Sequence, residues 1–397
     1  MDTIMLARTL FGVTAGVHFW FVALTLGVTP VLAVTATVRA LAPSTGRAHA
    51  TSERLLGWLT RPYLINYALG IVTGLVMELQ LALNWGGLTK VASDVFGTAL
   101  VLETVLAFMV ESTALGLWIF GWRILPRGVQ AGLIWLVTIA AWVSAWFVLV
   151  ANGFLHRPVG YGRTGDRLQL VDPGALFTNP SALAALAHIS GAALWVGGFV
   201  LTAGAARLAR RRIDFPVARA ALRTGVIMVA VGSPVLVASG IGQFSWARTD
   251  PEPHVTGESG TMLALMMLVW VLVTPVTWFV LLPLLSRSRL LRMPGLLWPL
   301  AWGFPIPAAV TIMGWVYREV ARQPWAITGI LRTADAVTVT AGPTFTVTTV
   351  AMIMLTAGVG LLNQVLIIRA LGTVPRAEPI VVDGWVETPV SLSGRSA

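Results

Sequence analysis

Residues 95–122 read VFGTALVLETVLAFMVESTALGLWIFGW. Across that length only Glu103 and Glu111 carry charge, and no proline interrupts the run. About 20 apolar residues in a helix are enough to cross the ~30 Å hydrocarbon layer of a bilayer. Lipid offers no partners to backbone polar groups, and a helix satisfies its own. Runs of the same kind recur near 10–38, 62–84, 128–152, 180–206, 221–241, 262–285, 293–318 and 345–369. With 95–122 they predict an all-α membrane protein of nine transmembrane helices, forming one domain over 1–372, with a polar, flexible tail at 373–397.

Composition agrees. The 397 residues are 56% hydrophobic and 11% charged, with mean hydropathy +0.80. Soluble domains carry about a quarter charged residues, so an ordinary water-soluble enzyme and a disordered chain are both excluded. The net charge of +10 could suggest nucleic acid. The basic residues, however, lie between apolar runs, so they orient the chain in a bilayer and no nucleic-acid partner is expected. With alternate connections assigned to opposite sides, 18 Lys and Arg fall on one side and 9 on the other. The richer side holds loop 39–61, residues 207–223 and the tail. The positive-inside bias therefore predicts an outside N-terminus and a cytoplasmic C-terminus. Without cysteine there can be no disulfide, thiolate metal site, iron–sulfur cluster or thioether-attached haem. The first apolar run lacks a basic flank and a small-residue cleavage site, so it reads as a retained span. The outer connections 153–179, 242–261 and 319–344 are expected to be the longer, irregular ones.

Ionisable groups inside a bilayer are costly and therefore mark function. They are His18 in the first run, Glu78 in the second, Glu103 and Glu111 in the third, and His188 in the fifth. Asn66, Gln80 and Asn84 add polarity to the second. A neutral imidazole tolerates burial and offers a lone pair to iron; it can equally be a core histidine bonded to a neighbouring helix. Met267 could supply a thioether opposite a histidine, although Met262, Met266 and Met267 together also suit apolar packing. Glu103 and Glu111 are eight residues apart, which on a regular helix is about 80° from eclipsed and roughly 12 Å along the axis. That placement suits a proton relay or a carboxylate near a cofactor; the plain alternative is a neutral acid satisfied by a serine or a carbonyl. Glu319 and Arg322, at i and i+3, can meet on one helix face at the outer end of the eighth run. Trp315, one turn earlier, fits an interfacial aromatic belt, as do many of the 17 tryptophans.

Longer motifs carry more. The second run contains Asn66-Tyr67-Ala68-Leu69-Gly70 and Met77-Glu78-Leu79-Gln80. The third contains Glu103-Thr104-Val105-Leu106-Ala107-Phe108 and Glu111-Ser112-Thr113. The fourth ends Val150-Ala151-Asn152-Gly153, and the eighth holds Gly303-Phe304-Pro305-Ile306-Pro307, Gly314-Trp315 and Arg322-Gln323-Pro324-Trp325. In this order, from the first helix to the ninth, they resemble subunit I of the cytochrome bd oxygen reductases.

The resemblance implies roles. His18 and Glu319 become ligands of a high-spin haem pair, with Arg322 beside Glu319. Glu103 and Glu111 become carboxylates serving that pair and proton delivery. His188, after Asn179-Pro180, becomes a ligand of a low-spin haem b, and counting back from Glu319 gives Met267 as its second ligand, with Met266 one residue away. Glu78 and Trp315 join the cofactor-binding set. Implied cofactors are a low-spin haem b, a high-spin haem b, and a haem d or third haem b. Implied partners are a membrane subunit II, small single-span accessory subunits, quinol or another electron donor, and dioxygen, in a bacterial or archaeal cell membrane. Electrons would pass from the donor through the low-spin haem to the pair that reduces dioxygen to water, with protons taken from the cytoplasm. Two departures bear on the donor. Residues 242–261 are short and contain no lysine, where the family has a long loop with a lysine–glutamate segment implicated in quinol oxidation. Leu265 stands where the family has an arginine two residues before the methionine. The competing readings are a related reductase with a non-quinol donor, a haem-poor structural or channel subunit of the same fold, and a transporter. No inverted halves or matched broken helices favour the transporter.

Overall fold

The computed structural model describes residues 3–245, 257–338, 343–373, 380–382 and 385–387. Among these residues, nine helices are long and apolar enough to cross a membrane. They are α1 (Thr3–Leu41), α2 (Arg47–Asn84), α3 (Gly86–Phe120), α4 (Arg127–His156), α5 (Pro180–Arg210), α6 (Phe215–Gln243), α7 (Ser259–Leu284), α8 (Pro294–Ala321) and α9 (Phe345–Leu371). Every expected span is present, and most are longer than expected. The 39 residues of α1 make a helix of roughly 58 Å, so it must tilt or project beyond the hydrocarbon.

α1 is the centre of the bundle and packs on α2, α4, α5, α8 and α9. Two thirds of its most apolar window is buried (67%), against 11% in α7. Lipid removes most of the hydrophobic drive between helices, so close backbone approach has to supply the packing. At the α1–α5 crossing a methyl group placed on Gly197 would lie 2.8 Å from the Gly27 oxygen. At the α5–α6 crossing one on Gly198 would lie 2.7 Å from the Gly225 oxygen. Pro234 inside α6 cannot donate to the carbonyl four residues back. That carbonyl, on Ala230, instead accepts from Trp278 Nε1 of α7 at 3.2 Å.

Three departures from regular helix were not foreseen. α3 contains a π-helical turn at Glu103–Phe108, and α7 contains another at Val276–Leu281. α8 is broken into Pro294–Trp302 and Pro305–Ala321, because Pro305 has no N–H with which to continue the ladder. The tryptophans also divide differently from a simple belt, since Trp20, Trp58 and Trp118 are fully buried. Trp58 Nε1 donates to Leu371 O at 3.2 Å, tying α2 to the end of α9.

Two of the connections expected on the outer side carry regular structure among the described residues. In 153–179, β1 (Tyr161–Thr164) pairs antiparallel with β2 (Arg167–Leu170), in register Tyr161↔Leu170. Gly165, at φ +59°, supplies the left-handed residue of the two-residue turn. A short helix, Pro173–Phe177, follows, with Asp172 accepting from Ala175 N at 2.9 Å. In 319–344, β3 (Trp325–Ile327) pairs with β4 (Leu331–Arg332). Of 242–261, residues 246–256 lie outside the described residues. Most of the 373–397 tail does too, save β5 (Ile380–Val382) paired with β6 (Trp385–Glu387).

At the end of the bundle where α1 meets α2, Arg39 pairs with Glu53 and donates to Gln130 at 2.7 Å. Its guanidinium lies 4.5 Å from the centre of the Trp122 ring. Arg54 pairs with the fully buried Asp214 at 2.9 Å. Residues that count in the sequence only as orienting charges thus also clamp helix ends together.

Candidate haem-ligand residues and their surroundings

His18 faces α2. Its Nδ1 lies 3.0 Å from Thr73 Oγ1. The Thr73 hydroxyl proton goes to Gly70 O at 2.9 Å, so the oxygen is left to accept. With the Thr73 proton so placed, the imidazole donates from Nδ1 and carries its lone pair on Nε2. His188 reaches the same state by another route. Its Nδ1 is 3.2 Å from Leu236 O, which can only accept, and 3.2 Å from Ser239 Oγ. The Ser239 hydroxyl is spent on Val235 O at 2.5 Å. Both rings are therefore fixed as Nδ1–H tautomers with Nε2 available, the arrangement that orients a metal-ligating imidazole. A glycine flanks each ring: a methyl on Gly74 would meet His18 Cε1 at 3.1 Å, and one on Gly240 would meet His188 Cε1 at 3.6 Å.

Glu319 and Arg322 are brought together as the i, i+3 spacing foretells, in an ion pair at the end of α8. Asn152 of α4 approaches the second Glu319 oxygen at 3.4 Å. Gln323 donates to Glu319 O at 3.3 Å and accepts from Thr333 at 3.0 Å, so β4's end braces the pair. Nε and Nη1 of Arg322 and Nε1 of Trp315 are buried with no hydrogen-bond partner among the described residues. The Trp315 ring stands 5.9 Å from Phe19, the residue after His18. Trp315 thus joins the Glu319 end of α8 to the turn of α1 that carries His18.

Of the α3 acids, Glu103 is anchored by hydrogen bonds and Glu111 is buried. Glu103 accepts from Ser144 of α4 at 2.6 Å and from Thr104 at 3.2 Å. Glu111 is 5% exposed, and beside it Ser112 is 3.0 Å from the Tyr67 hydroxyl of α2. The π turn alters their relation. It absorbs one extra residue, so eight residues rotate as seven would, and the offset falls from about 80° to about 20°. The two acids share a face more closely than a regular helix allows.

Two of the expected site residues lie at the surface of this chain. Glu78 is exposed, whereas Gln80 two residues on is buried and donates to Thr14 at 2.8 Å. Met267 is 45% exposed, and no described contact links it to His188. Its neighbour Met266 turns its sulfur to α8, 3.2 Å from where a Gly314 methyl would stand. One residue that sequence reasoning passed over is prominent: Arg318, counted only as an outer-side charge, hydrogen-bonds to three other helices. Its spacing one residue before Glu319, inside an apolar run, was the available signal. Among the described residues no cluster of three or more His, Asp or Glu could hold a bare metal ion. An iron held in a porphyrin needs only one or two protein ligands. The lone pairs on His18 and His188, with the spare donors of Arg322 and Trp315, fit such a group.

The family model for cytochrome bd terminal oxidase subunit I matches residues 6–252 and 254–375. The chain belongs to that family. It is similar to the Bacillus subtilis (strain 168) cytochrome bd ubiquinol oxidase subunit 1, with 34% identity over 228 residues, or 57% of this chain and 48% of that one. It is also similar to the Escherichia coli (strain K12) cytochrome bd-II ubiquinol oxidase subunit 1, with 35% identity over 214 residues, 53% of this chain and 41% of that one. The chain spans about half the length of the curated relatives it matches. The solved bd oxidase of Geobacillus thermodenitrificans shares the fold, with TM-score 0.81 at 21% identity over 93% of this chain and 98% of that chain.

Proposed function

We propose that this chain is the haem-bearing subunit of a bd-type oxygen reductase in a bacterial or archaeal cell membrane, with its N-terminus outside and its C-terminus in the cytoplasm. The observation that carries the reading is the pair of intramembrane imidazoles, each tied at Nδ1 and each presenting Nε2. His188 and Met267 would hold a low-spin haem b. His18 and Glu319 would hold the high-spin pair, a haem b with a haem d or a third haem b. When bound, these groups supply the one-electron iron chemistry and the oxygen-reacting site. Arg322 offers its two free donors to the pair's anionic groups, and Trp315 covers the ground between α8 and His18. Glu103 and Glu111 hold protons taken from the cytoplasm and hand them inward, with Ser144, Ser112 and Tyr67 as hydroxyl neighbours. Glu78 serves at the edge of a cofactor.

Electrons enter from a membrane donor and dioxygen leaves as water. Quinol is the donor in the leading reading, supported by the ubiquinol oxidases among the relatives. Residues 242–261, a short outer loop without lysine, favour a second reading in which the donor is not quinol. Subunit II, with small single-span accessory subunits, completes the assembly. The test is oxygen consumption by the purified complex with quinol as the reductant. Glu319→Ala should abolish it, and Glu111→Gln should slow it by about two orders of magnitude, in the range of lost general acid–base assistance. Haem bands with no quinol-driven oxygen uptake would support the second reading. A purified complex without haem bands would leave the structural subunit.

A further inference from the structure

We propose that Arg318 anchors a carboxylate of the porphyrin held by His188; the inference rests on the haem reading above. Arg318 lies in the last turn of α8 and is only part-exposed. Its Nε donates to Asn152 Oδ1 of α4 at 2.8 Å, Nη1 to Gln243 Oε1 of α6 at 2.9 Å, and Nη2 approaches Ser181 Oγ of α5 at 3.4 Å. All three partners are neutral. The ion pairs among the described residues are Arg39–Glu53, Arg54–Asp214 and Arg322–Glu319, and none includes Arg318. Glu319 pairs with Arg322 and also acts on Arg318, so one carboxylate serves two guanidiniums and, among the described residues, the Arg318–Glu319–Arg322 cluster carries one positive charge in excess. A guanidinium presents five N–H donors. Three are used here, which leaves two for an anion.

The position of Arg318 selects the anion. Ser181 and His188 are seven residues apart on α5, about 20° apart around the helix and roughly 10 Å along it. On α6, Gln243 lies one turn beyond Ser239, which itself touches His188. Arg318 and His188 therefore stand on the same α5–α6 seam, with the guanidinium across its outer end and the imidazole deeper in. A cationic excess in a membrane protein is expensive, and neutral acceptors offset it only in part. A porphyrin taken up by His188 Nε2 brings carboxylates as well as iron, and a planar guanidinium suits a carboxylate better than any other cation.

The experiment uses the purified complex with its partner subunit, in wild-type form and with Arg318→Gln, Arg318→Lys, Ser181→Ala or Gln243→Ala. Each is measured for haem content and for the midpoint potential of the low-spin haem. Loss of a nearby cation favours the ferric form. Arg318→Gln should therefore move the reduction equilibrium at least tenfold towards ferric, about 59 mV lower for a one-electron couple. Arg318→Lys, Ser181→Ala and Gln243→Ala should stay within threefold of wild type. A full haem complement with an equilibrium within threefold in Arg318→Gln would overturn the proposal. So would a shift in Ser181→Ala or Gln243→Ala as large as that in Arg318→Gln, which is what a mere hydrogen-bond hub gives. If Arg318→Gln loses the haem, recovery in Arg318→Lys supports the anchor and loss in both overturns it. Failure of the haem reading itself would show separately, as a low-spin band that survives His188→Ala or is missing from wild type.

Discussion

His18 rests its Nδ1 on a side chain, the Thr73 hydroxyl at 3.0 Å, whereas His188 rests its Nδ1 on the main-chain oxygen of Leu236 at 3.2 Å. The two rings end in the same tautomer, but what fixes them differs. The His18 site leans on the Thr73 hydroxyl, with the Gly70 main chain as a second partner, so one substitution on α2 can weaken it. The His188 site has a backbone acceptor that no substitution removes, and close α5–α6 packing at Gly191, where an added methyl would meet Leu236 N at 2.9 Å, holds that backbone in place. A side-chain support is tunable and a main-chain support is robust.

The largest effect expected from this comparison is one the two sites share. His18→Ala and His188→Ala should each remove one haem's characteristic bands from the visible spectrum and leave the other bands in place. Equal loss from both sites on either substitution would mean that the sites are not separate. Next comes the contrast in supports. Thr73→Val should weaken cofactor retention at His18 by about 10- to 100-fold, the usual consequence of losing an orienting partner. It should also cost about 0.5–1.5 kcal/mol of stability through the lost imidazole hydrogen bond, with Gly70 O still within reach of the ring. Ser239→Ala should change retention at His188 by less than about threefold, because Leu236 O still accepts. Titrating haem back into depleted complex would measure both. A smaller effect should separate the flanking glycines. Gly74→Ala puts a methyl 3.1 Å from the His18 ring and should shift that haem's absorption maximum, while Gly240→Ala gives an ordinary 3.6 Å contact and should leave the spectrum unchanged. Identical responses at the two glycines would remove the distinction.

The spans were legible because the energetics of lipid burial write them as apolar runs. His18, Glu103, Glu111 and His188 were legible because charge and polarity stand out in such runs. Thr73, Ser144 and Ser239, which support those residues, were not: a neutral hydroxyl is unremarkable in a membrane helix, and its value depends on a second helix. Arg318 was misread because the positive-inside bias counts charges by loop and ignores what each one touches. The π turn that realigns Glu103 with Glu111 leaves no mark in hydropathy, so the 80° offset belongs to a regular helix that α3 is not. The hairpin 161–170 was hidden within a polar connection whose Gly165-Asp166 turn is its only local sign. Counting back from Glu319 gives Met267, but sequence distance alone does not say whether Met267 or Met266 would face a cofactor.

The central claim is that two intramembrane imidazoles present Nε2 to porphyrin iron. The direct measurement is a pyridine haemochrome count on the purified complex, wild type beside the His18→Ala and His188→Ala forms. The account predicts three haems in wild type and one fewer in each variant, with a different spectral component missing from each. An intact complex without haem, or variants that keep the full complement, would contradict it.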